Sequence, residues 1–188
     1  MDFICVDYLS KGNLKQKSAF NALKELRILE VLKDFQPVVV GTIPIEIDIN
    51  QSDIDIICKA SNLESFEKLI ALEFGEKDAF QQRKTVAQGI LCSVSSFDFR
   101  NFEFEIFAQN IETTKQNAYR HMLVENRILK LANPRFKREV IKLKEIGMKT
   151  EEAFASLLDL SGDPYSELLK LESESDESLS RLLNSFSN

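Results

Sequence analysis

The sequence has few of the residues from which disulfide frameworks and zinc clusters are built. Its 188 residues include three cysteines, an odd number at wide spacing, and one histidine, His121. Such a set matches neither a disulfide framework nor a zinc pattern. Cys58 and Cys92 lie inside apolar runs, where cysteine usually acts as a small buried hydrophobe. These features predict a reducing compartment, and therefore a cytoplasmic protein.

Long apolar runs and an excess of positive charge are also missing. No run approaches the roughly 20 residues that span a bilayer, and residues 1–5 lack the basic and apolar regions of a secretory signal. We therefore expect neither membrane insertion nor export. The formal net charge of −6 argues against long nucleic acid as a partner, because phosphate backbones bind positive surfaces. The basic stretch 127–149 is either a solvated helix face or the wall of an anion site.

Hydrophobic periodicity divides the chain into an α/β part followed by a helical part. Helical spacing predicts helices at 17–33, 62–72, 114–131, 134–146, 150–158 and 164–171. Continuous or alternating apolar runs predict strands at 38–40, 53–58, 80–85, 90–97 and 102–107. We therefore expect an α+β fold with a mixed β-sheet core at 1–112. We also expect a helical part at 113–172 that packs on the core, and a frayed acidic tail at 173–188.

The most informative segment follows the apolar run Val38–Val40. In a strand, Asp53 and Asp55 point to one face while Ile54 and Ile56 point into the core. Aspartate is disfavoured in strands, and neighbouring carboxylates repel each other. A divalent cation such as Mg²⁺ compensates both effects. The alternative is an exposed edge strand with two solvated aspartates.

Gly41 and Thr42 follow the same apolar run and predict a tight turn. A glycine there lets backbone amides approach a phosphate, and the threonine hydroxyl can donate to a phosphate oxygen. Glu46 and Asp48 form a further alternating pair, which we interpret as the exposed side of a short strand.

The segment thus combines an apolar strand, a Gly-Thr turn, ten intervening residues and the string Asp-Ile-Asp-Ile. This combination resembles the signature of the nucleotidyltransferase superfamily, the DNA polymerase β-like fold. Gly or Ser is usual in that family where this chain has Thr42, which keeps a hydroxyl. The resemblance implies that Asp53 and Asp55 hold Mg²⁺ or Mn²⁺. It also implies that Gly41, Thr42 and Ser52 bind the nucleotide.

The superfamily normally supplies a third carboxylate from a later strand. Glu103 and Glu105 share one face of the strand predicted at 102–107. We assign the third metal ligand to Glu105, which lies deeper in the apolar run. Glu103 is the reserve and Asp98 a weaker one, since most members of the superfamily carry aspartate at this position.

Two arginines are candidates for contact with the nucleotide. Arg120, on the helix predicted at 114–131, could grip a phosphate with the two-pronged guanidinium group, and Arg83 is a second candidate on a strand. For each, the alternative is a surface salt bridge. We interpret His121 as a satisfied helix residue rather than as a catalyst.

Further stretches, among them 116–122 and 162–165, resemble a bacterial family of small nucleotidyltransferase-like proteins with no known substrate. The resemblance implies metal-dependent transfer of a nucleoside monophosphate from a nucleoside triphosphate such as ATP. The acidic net charge favours a small molecule or a protein as the acceptor, and tRNA bound along 127–149 is a further alternative. The rival hypothesis is a non-catalytic nucleotide-binding or protein-interaction module on the same fold.

Overall fold

The five predicted strands are all present and form one mixed sheet. In the computed structural model, which describes residues 3–186, strands β1 to β5 span Val38–Val40, Ile54–Lys59, Asp78–Ala87, Ile90–Phe99 and Phe102–Gln109. Their order across the sheet is β1-β2-β5-β4-β3. Strands β2 and β5 run parallel, whereas the other neighbours run antiparallel. The prediction of an α+β fold with a mixed sheet is therefore confirmed.

The described residues also form helices along the whole chain. The α-helices α1 to α8 span Leu14–Leu26, Ile28–Val31, Leu63–Phe74, Asn117–Leu131, Pro134–Glu145, Thr150–Leu157, Pro164–Lys170 and Asp176–Phe186. Short 3₁₀ helices lie at Val6–Lys11, Lys33–Phe35, Thr113–Lys115 and Leu171–Ser173. None of the helices within 3–186 combines the length and the apolar character that a bilayer crossing requires.

The contacts divide the chain into two compact units. The first unit runs up to Glu46 and resumes at Gln51–Gln116, so it contains the whole sheet. The second unit comprises Ile47–Asn50 and the described residues from Asn117 onward. The main chain therefore leaves the first unit for four residues between β1 and β2.

In the first unit, one face of the sheet packs against α1 and α3. Ile54 and Ile56 point to this face and are almost fully buried, with exposed fractions of 1% and 0%, as the alternation predicts. Phe97 stacks between Phe74 of α3 and Phe104 of β5, with ring centroids 5.1 and 5.3 Å apart. Because strand side chains alternate, Asp55 and Glu105 point away from this apolar layer.

Helix α1 begins earlier and ends earlier than the periodicity predicts. Asn13 accepts a hydrogen bond from the Gln16 amide at 2.9 Å, and the Gln16 side chain accepts one from the Asn13 amide at 3.0 Å. This capping box fixes the start of the helix. At Arg27 the backbone turns left-handed, with φ +52°, so the predicted helix 17–33 is interrupted there.

The alternating segment around Glu46 is not a strand, contrary to our interpretation. It forms consecutive turns, and Glu46 has a φ of +60°. Ile43, Ile45 and Ile47 are buried, with exposed fractions of 2%, 5% and 0%. Alternation of apolar and acidic residues therefore reflects a turn whose isoleucines face inward.

The second unit consists of α4 to α8. Asn133 caps α5 by accepting from the amides of Arg135 and Phe136 at 2.9 and 3.1 Å. The acidic tail, predicted to be frayed, instead forms α8, with Leu179 and Leu183 buried one helical turn apart. The expectation was wrong because the helix is amphipathic: Asp176 and Glu177 are exposed while the two leucines are buried. The last two residues of the predicted tail, 187 and 188, lie outside the described part of the chain.

Candidate active site

The strand register places two of the predicted metal ligands side by side. Asp55 on β2 lies between Val40 of β1 and Glu105 of β5. Neighbouring strands are about 4.8 Å apart, and both acidic side chains are half-buried. Asp53 lies one residue before β2 and is half-buried as well. This part of the sheet therefore carries a concentration of negative charge.

The register also separates the two candidates for the third carboxylate. Glu105 lies abreast of Asp55, with Ser96 on its other side. Glu103 is exposed and lies opposite Asp98, the weakest of the three candidates. The geometry therefore favours Glu105, and its role as a ligand stays a prediction.

The turn at Gly41 lies directly against Asp55. Gly41 has a φ of +82°, and a Cβ atom added to it would lie 2.2 Å from Oδ2 of Asp55. Thr42 donates a hydrogen bond from Oγ1 to Oγ of Ser52 at 3.1 Å. This bond ties the turn to the residue that precedes Asp53. The three predicted nucleotide-binding residues of this region are therefore adjacent to the carboxylates.

Gln16 holds the backbone directly after the Gly41 turn through hydrogen bonds, a role that the sequence did not predict. Its side chain is buried, and its Nε2 donates to the carbonyl oxygens of Ile43 and Pro44 at 3.0 and 3.3 Å. The Asn13-x-x-Gln16 spacing is a recognisable capping signal. It gives no indication that the same amide group also reaches a loop 27 residues away along the chain.

The two arginines lie in different surroundings. Arg83 is exposed on β3, which is separated from β5 by β4. It lies about 10 Å across the sheet from β5, in the row of Phe107 and not in that of Glu105. Arg120 belongs to the second unit, where its Nε donates to Glu172 at 3.0 Å. For Arg120, the structure thus contains the salt bridge that we weighed as the alternative. A nucleotide contact by either arginine stays a prediction.

A different set of ligand-type side chains is gathered more tightly. In the part of the chain that the structure describes, one group of three possible metal-binding residues has its ligand atoms within 4.8 Å of one another. It consists of His121, Glu125 and Glu151, all in the second unit. Asp53, Asp55 and Glu105 do not meet that distance limit together. The interpretation of His121 as a satisfied residue was wrong, because its buried Nδ1 atom has no hydrogen-bond partner within 3–186.

A family model described as "Domain of unknown function (DUF4269)" matches residues 21–171. The chain belongs to this family. The matched region includes the Gly41 turn, the whole sheet and helices α2 to α7. No curated protein sequence matches the DUF4269 chain.

Solved structures resemble the DUF4269 chain in fold. Cid1, described as a poly(U) polymerase with MgGTP bound, has a TM-score of 0.54 at 16% identity, and the match covers 87% of this chain and 53% of Cid1. Cid1 described as an RNA terminal uridylyl transferase has a TM-score of 0.53 at 16% identity, with coverages of 87% and 52%. A cytoplasmic RNA terminal U-transferase has a TM-score of 0.52 at 16% identity, with coverages of 83% and 47%.

These matches establish that the DUF4269 chain has the nucleotidyltransferase fold. The fold implied by the resemblance drawn from the Gly-Thr turn and the Asp-Ile-Asp string is confirmed. The chain spans about half the length of the solved structures that it matches. At this degree of identity the likeness concerns the fold alone.

Proposed function

We propose that the DUF4269 chain transfers a nucleoside monophosphate from a nucleoside triphosphate to an acceptor and releases pyrophosphate. The observation that carries the proposal is the juxtaposition of Asp55 and Glu105, on a face of the sheet bordered by the Gly41 turn. Asp53 completes the set of three carboxylates. The nucleotidyltransferase fold supports the same reaction class.

The donor set suits a hard divalent cation. Carboxylate oxygens, together with substrate phosphates and water, are the ligands that Mg²⁺ takes in nucleotide-binding enzymes, and Mn²⁺ accepts the same set. Asp53, Asp55 and Glu105 are the residues that would hold the ion. When bound, it would neutralise charge on the triphosphate and favour ionisation of the acceptor hydroxyl. The clearance at Gly41 leaves Asp55 room to keep its orientation toward such an ion.

Each residue of the turn has a role in holding the triphosphate. The Gly41 turn offers backbone amides to the β- and γ-phosphates because no side chain blocks their approach. Thr42 and Ser52, already joined by a hydrogen bond, present hydroxyl groups beside them. Glu105 would help to polarise the acceptor hydroxyl and accept its proton. A bond forms between that oxygen and the α-phosphorus, the bond from the α-phosphorus to the bridging oxygen breaks, and pyrophosphate leaves.

The acceptor is the least constrained part of the proposal. The net charge of −6 favours a small molecule or a protein side chain over a long nucleic acid. The similar solved structures are described as RNA terminal uridylyl transferases and as a poly(U) polymerase selective for UTP. Those descriptions make an RNA 3′ end with UTP a necessary comparison in any acceptor screen.

The test is calorimetric titration of ATP, GTP, CTP and UTP in the presence of Mg²⁺ or Mn²⁺. We expect metal-dependent binding of at least one triphosphate to the wild type. Binding should weaken at least about tenfold in Asp55→Asn and Glu105→Gln, since each removes a ligand charge. Glu103→Gln is the matched control, because it removes the same charge from the same strand two residues away.

The outcomes separate the competing hypotheses. Absence of triphosphate binding by the wild type would contradict the proposal. Loss of binding in Glu103→Gln with retention in Glu105→Gln would move the third ligand to Glu103. Binding without pyrophosphate release in the presence of small-molecule, protein and RNA acceptors would favour the non-catalytic module.

A further inference from the structure

Three side chains from two helices of the second unit converge on one another. His121 and Glu125 are four residues apart on α4 and therefore lie on one face of that helix. Glu151 comes from the first turn of α6. One ligand atom of each residue lies within 4.8 Å of the corresponding atoms of the other two. The sequence places Glu151 thirty residues after His121, so the group is a product of the helix packing.

Two of the three side chains are buried, and one of their polar atoms lacks the partner that buried polar atoms normally have. His121 and Glu125 have exposed fractions of 5% and 3%. Nδ1 of His121 is buried and has no hydrogen-bond partner within the described residues. Buried polar groups are almost always satisfied in native proteins. An unpartnered imidazole nitrogen within 4.8 Å of two carboxyl oxygens therefore indicates a missing binding partner.

The electrostatics of the group point to a cation. Burial raises the pKa of Glu125 to about 8, and the adjacent Glu151 carboxylate adds to this effect. Burial likewise raises the pKa of Glu151. Burial lowers the pKa of His121 to about 4, helped by the positive charge of Arg120. Burial therefore disfavours the charged form of all three groups, and a bound cation would favour the unprotonated imidazole and the two carboxylates.

The charged groups around the site do not take the place of a bound cation. Lys144 acts favourably on both carboxylates, but its Nζ donates to the carbonyl oxygen of Ile47 at 2.7 Å. Lys149 also faces Glu151, while Glu152 opposes it. Around His121, the negative charges of Asp163 and Glu172 oppose that of Arg120. The six surrounding groups comprise three acidic and three basic ones, so they bring no net positive charge to compensate the ionised forms of Glu125 and Glu151.

We propose that His121, Glu125 and Glu151 bind one divalent transition-metal ion of the zinc class. Zn²⁺ takes imidazole nitrogen and carboxylate oxygen at about 2.0–2.2 Å and is satisfied by three protein ligands plus water. Mg²⁺ prefers oxygen ligands alone and is poorly served by an imidazole. The ion would cross-link α4 to α6, and it is chemically distinct from the ion proposed for the carboxylates of the sheet.

The test is titration of the chelator-treated full-length protein with Zn²⁺ in a large excess of Mg²⁺, which occupies the sites that prefer oxygen ligands. We expect one Zn²⁺ per chain by calorimetry, and visible ligand-field absorption when Co²⁺ is added instead. Glu125→Gln and His121→Gln should each weaken the affinity for Zn²⁺ at least about tenfold. Glu145→Gln, which removes an exposed charge from α5, should leave that affinity unchanged.

Two results would overturn the proposal. One is a wild-type protein that binds no Zn²⁺ under these conditions and gives no Co²⁺ absorption. The other is undiminished Zn²⁺ affinity in both ligand variants. Far-ultraviolet circular dichroism checks that the variants are folded, and the wild-type Co²⁺ spectrum decides the matter if they are not. Nucleotide binding is not measured, so the result is independent of the proposed transferase activity.

Discussion

Two glycines of this chain have similar left-handed backbones and different surroundings. Gly41 has a φ of +82° and lies against Asp55, whereas Gly89 has a φ of +77° and an added Cβ atom there would meet no other atom within 4 Å. Substitution by alanine therefore costs both positions a similar backbone strain. Only at Gly41 does the added methyl group force another side chain to move.

We predict that Gly41→Ala abolishes metal-dependent triphosphate binding. Both Gly41→Ala and Gly89→Ala should lower the free energy of unfolding by about 1–2 kcal/mol, because L-residues avoid this backbone region. In Gly41→Ala the carboxylate of Asp55 must also rotate away from the turn. Urea denaturation measures the stability and calorimetry the binding. Equal binding by the two variants would show that the clearance at Gly41 has no functional role.

At the scale of the elements, α1 is connected to the Gly41 turn through one amide group. The Gln16 side chain closes the capping box of its own helix with its oxygen and holds two carbonyls of the turn with its nitrogen. The start of the helix and the shape of the turn therefore depend on the same residue. This connection also links a stability element to the proposed nucleotide site.

We predict that Gln16→Glu weakens triphosphate binding and lowers the free energy of unfolding by about 1–3 kcal/mol. Glutamate keeps an oxygen for the Asn13 amide and removes the NH₂ group that the two carbonyls need. Asn62→Ala is the control, since it removes the cap of α3 at a cost of about 1 kcal/mol and does not touch the turn. If both variants bind the triphosphate as the wild type does, the turn does not depend on Gln16.

Lys59 at the end of β2 forms an ion pair with Glu112, the residue before the 3₁₀ helix Thr113–Lys115. This pair gives the stability of the first unit a small pH dependence. A hydrogen bond from Lys59 lowers the pKa of Glu112, and the charges of Lys59 and Lys115 add to it. Since the pKa is depressed in the folded state, the pair stabilises the fold where glutamate is ionised. This stabilisation is lost as the pH falls through the lowered pKa.

We therefore predict that Glu112→Gln slightly lowers the melting temperature at neutral pH and not in acid. Added salt should reduce the difference, because the pair is at the surface. Glu73→Gln removes the same charge from an exposed site on α3 and is the control. Melting curves at neutral and acidic pH, each at low and high salt, provide the measurement. A deficit that persists in acid would contradict this assignment.

Most of the elements were predictable from the sequence because their apolar spacing is regular. All five strands and helices α3 to α7 follow that spacing closely. The break at Arg27 was not predictable, since a left-handed arginine leaves no pattern. Asp53 and Asp55 could be singled out by a local motif, and the pattern placed Glu103 and Glu105 on one face. Only the parallel register of β2 and β5 brings Glu105 abreast of Asp55.

The group of His121, Glu125 and Glu151 could not be predicted from the sequence. Its i, i+4 pair on α4 is visible in the sequence, but such pairs are common on helix surfaces. The third residue reaches the pair through helix packing over a distance of thirty residues. Nor does the sequence reveal that the imidazole nitrogen has no partner within the described residues.

At the scale of the whole molecule, the reactivity of the cysteines depends on whether the core is closed. Cys58 and Cys92 are fully buried and Cys5 is exposed, in agreement with the interpretation of the first two as buried hydrophobes. Burial raises the pKa of Cys58 to about 12. The reactive thiolate form is therefore suppressed as long as the fold is closed.

We predict that a thiol reagent modifies one cysteine per native chain, Cys5, and all three after denaturation. Intact-mass spectrometry with peptide mapping identifies the labelled positions over time. Cys5→Ser should react at no site in the native state and at two after unfolding. Rapid native labelling of Cys58 would indicate that the sheet opens without global unfolding.

Strand β3 lies at an edge of the sheet, and this position affects how copies of the chain could associate. Ten residues of backbone lie along that edge of the sheet, and such an edge is a template for pairing with another copy. Arg83 and Lys84 sit near its middle. Two copies that joined there in antiparallel fashion would bring these cations against each other, which opposes the pairing. By the same argument Arg83, weighed above for its phosphate contact, would disfavour association of copies along this edge, and concentrated salt would weaken that effect.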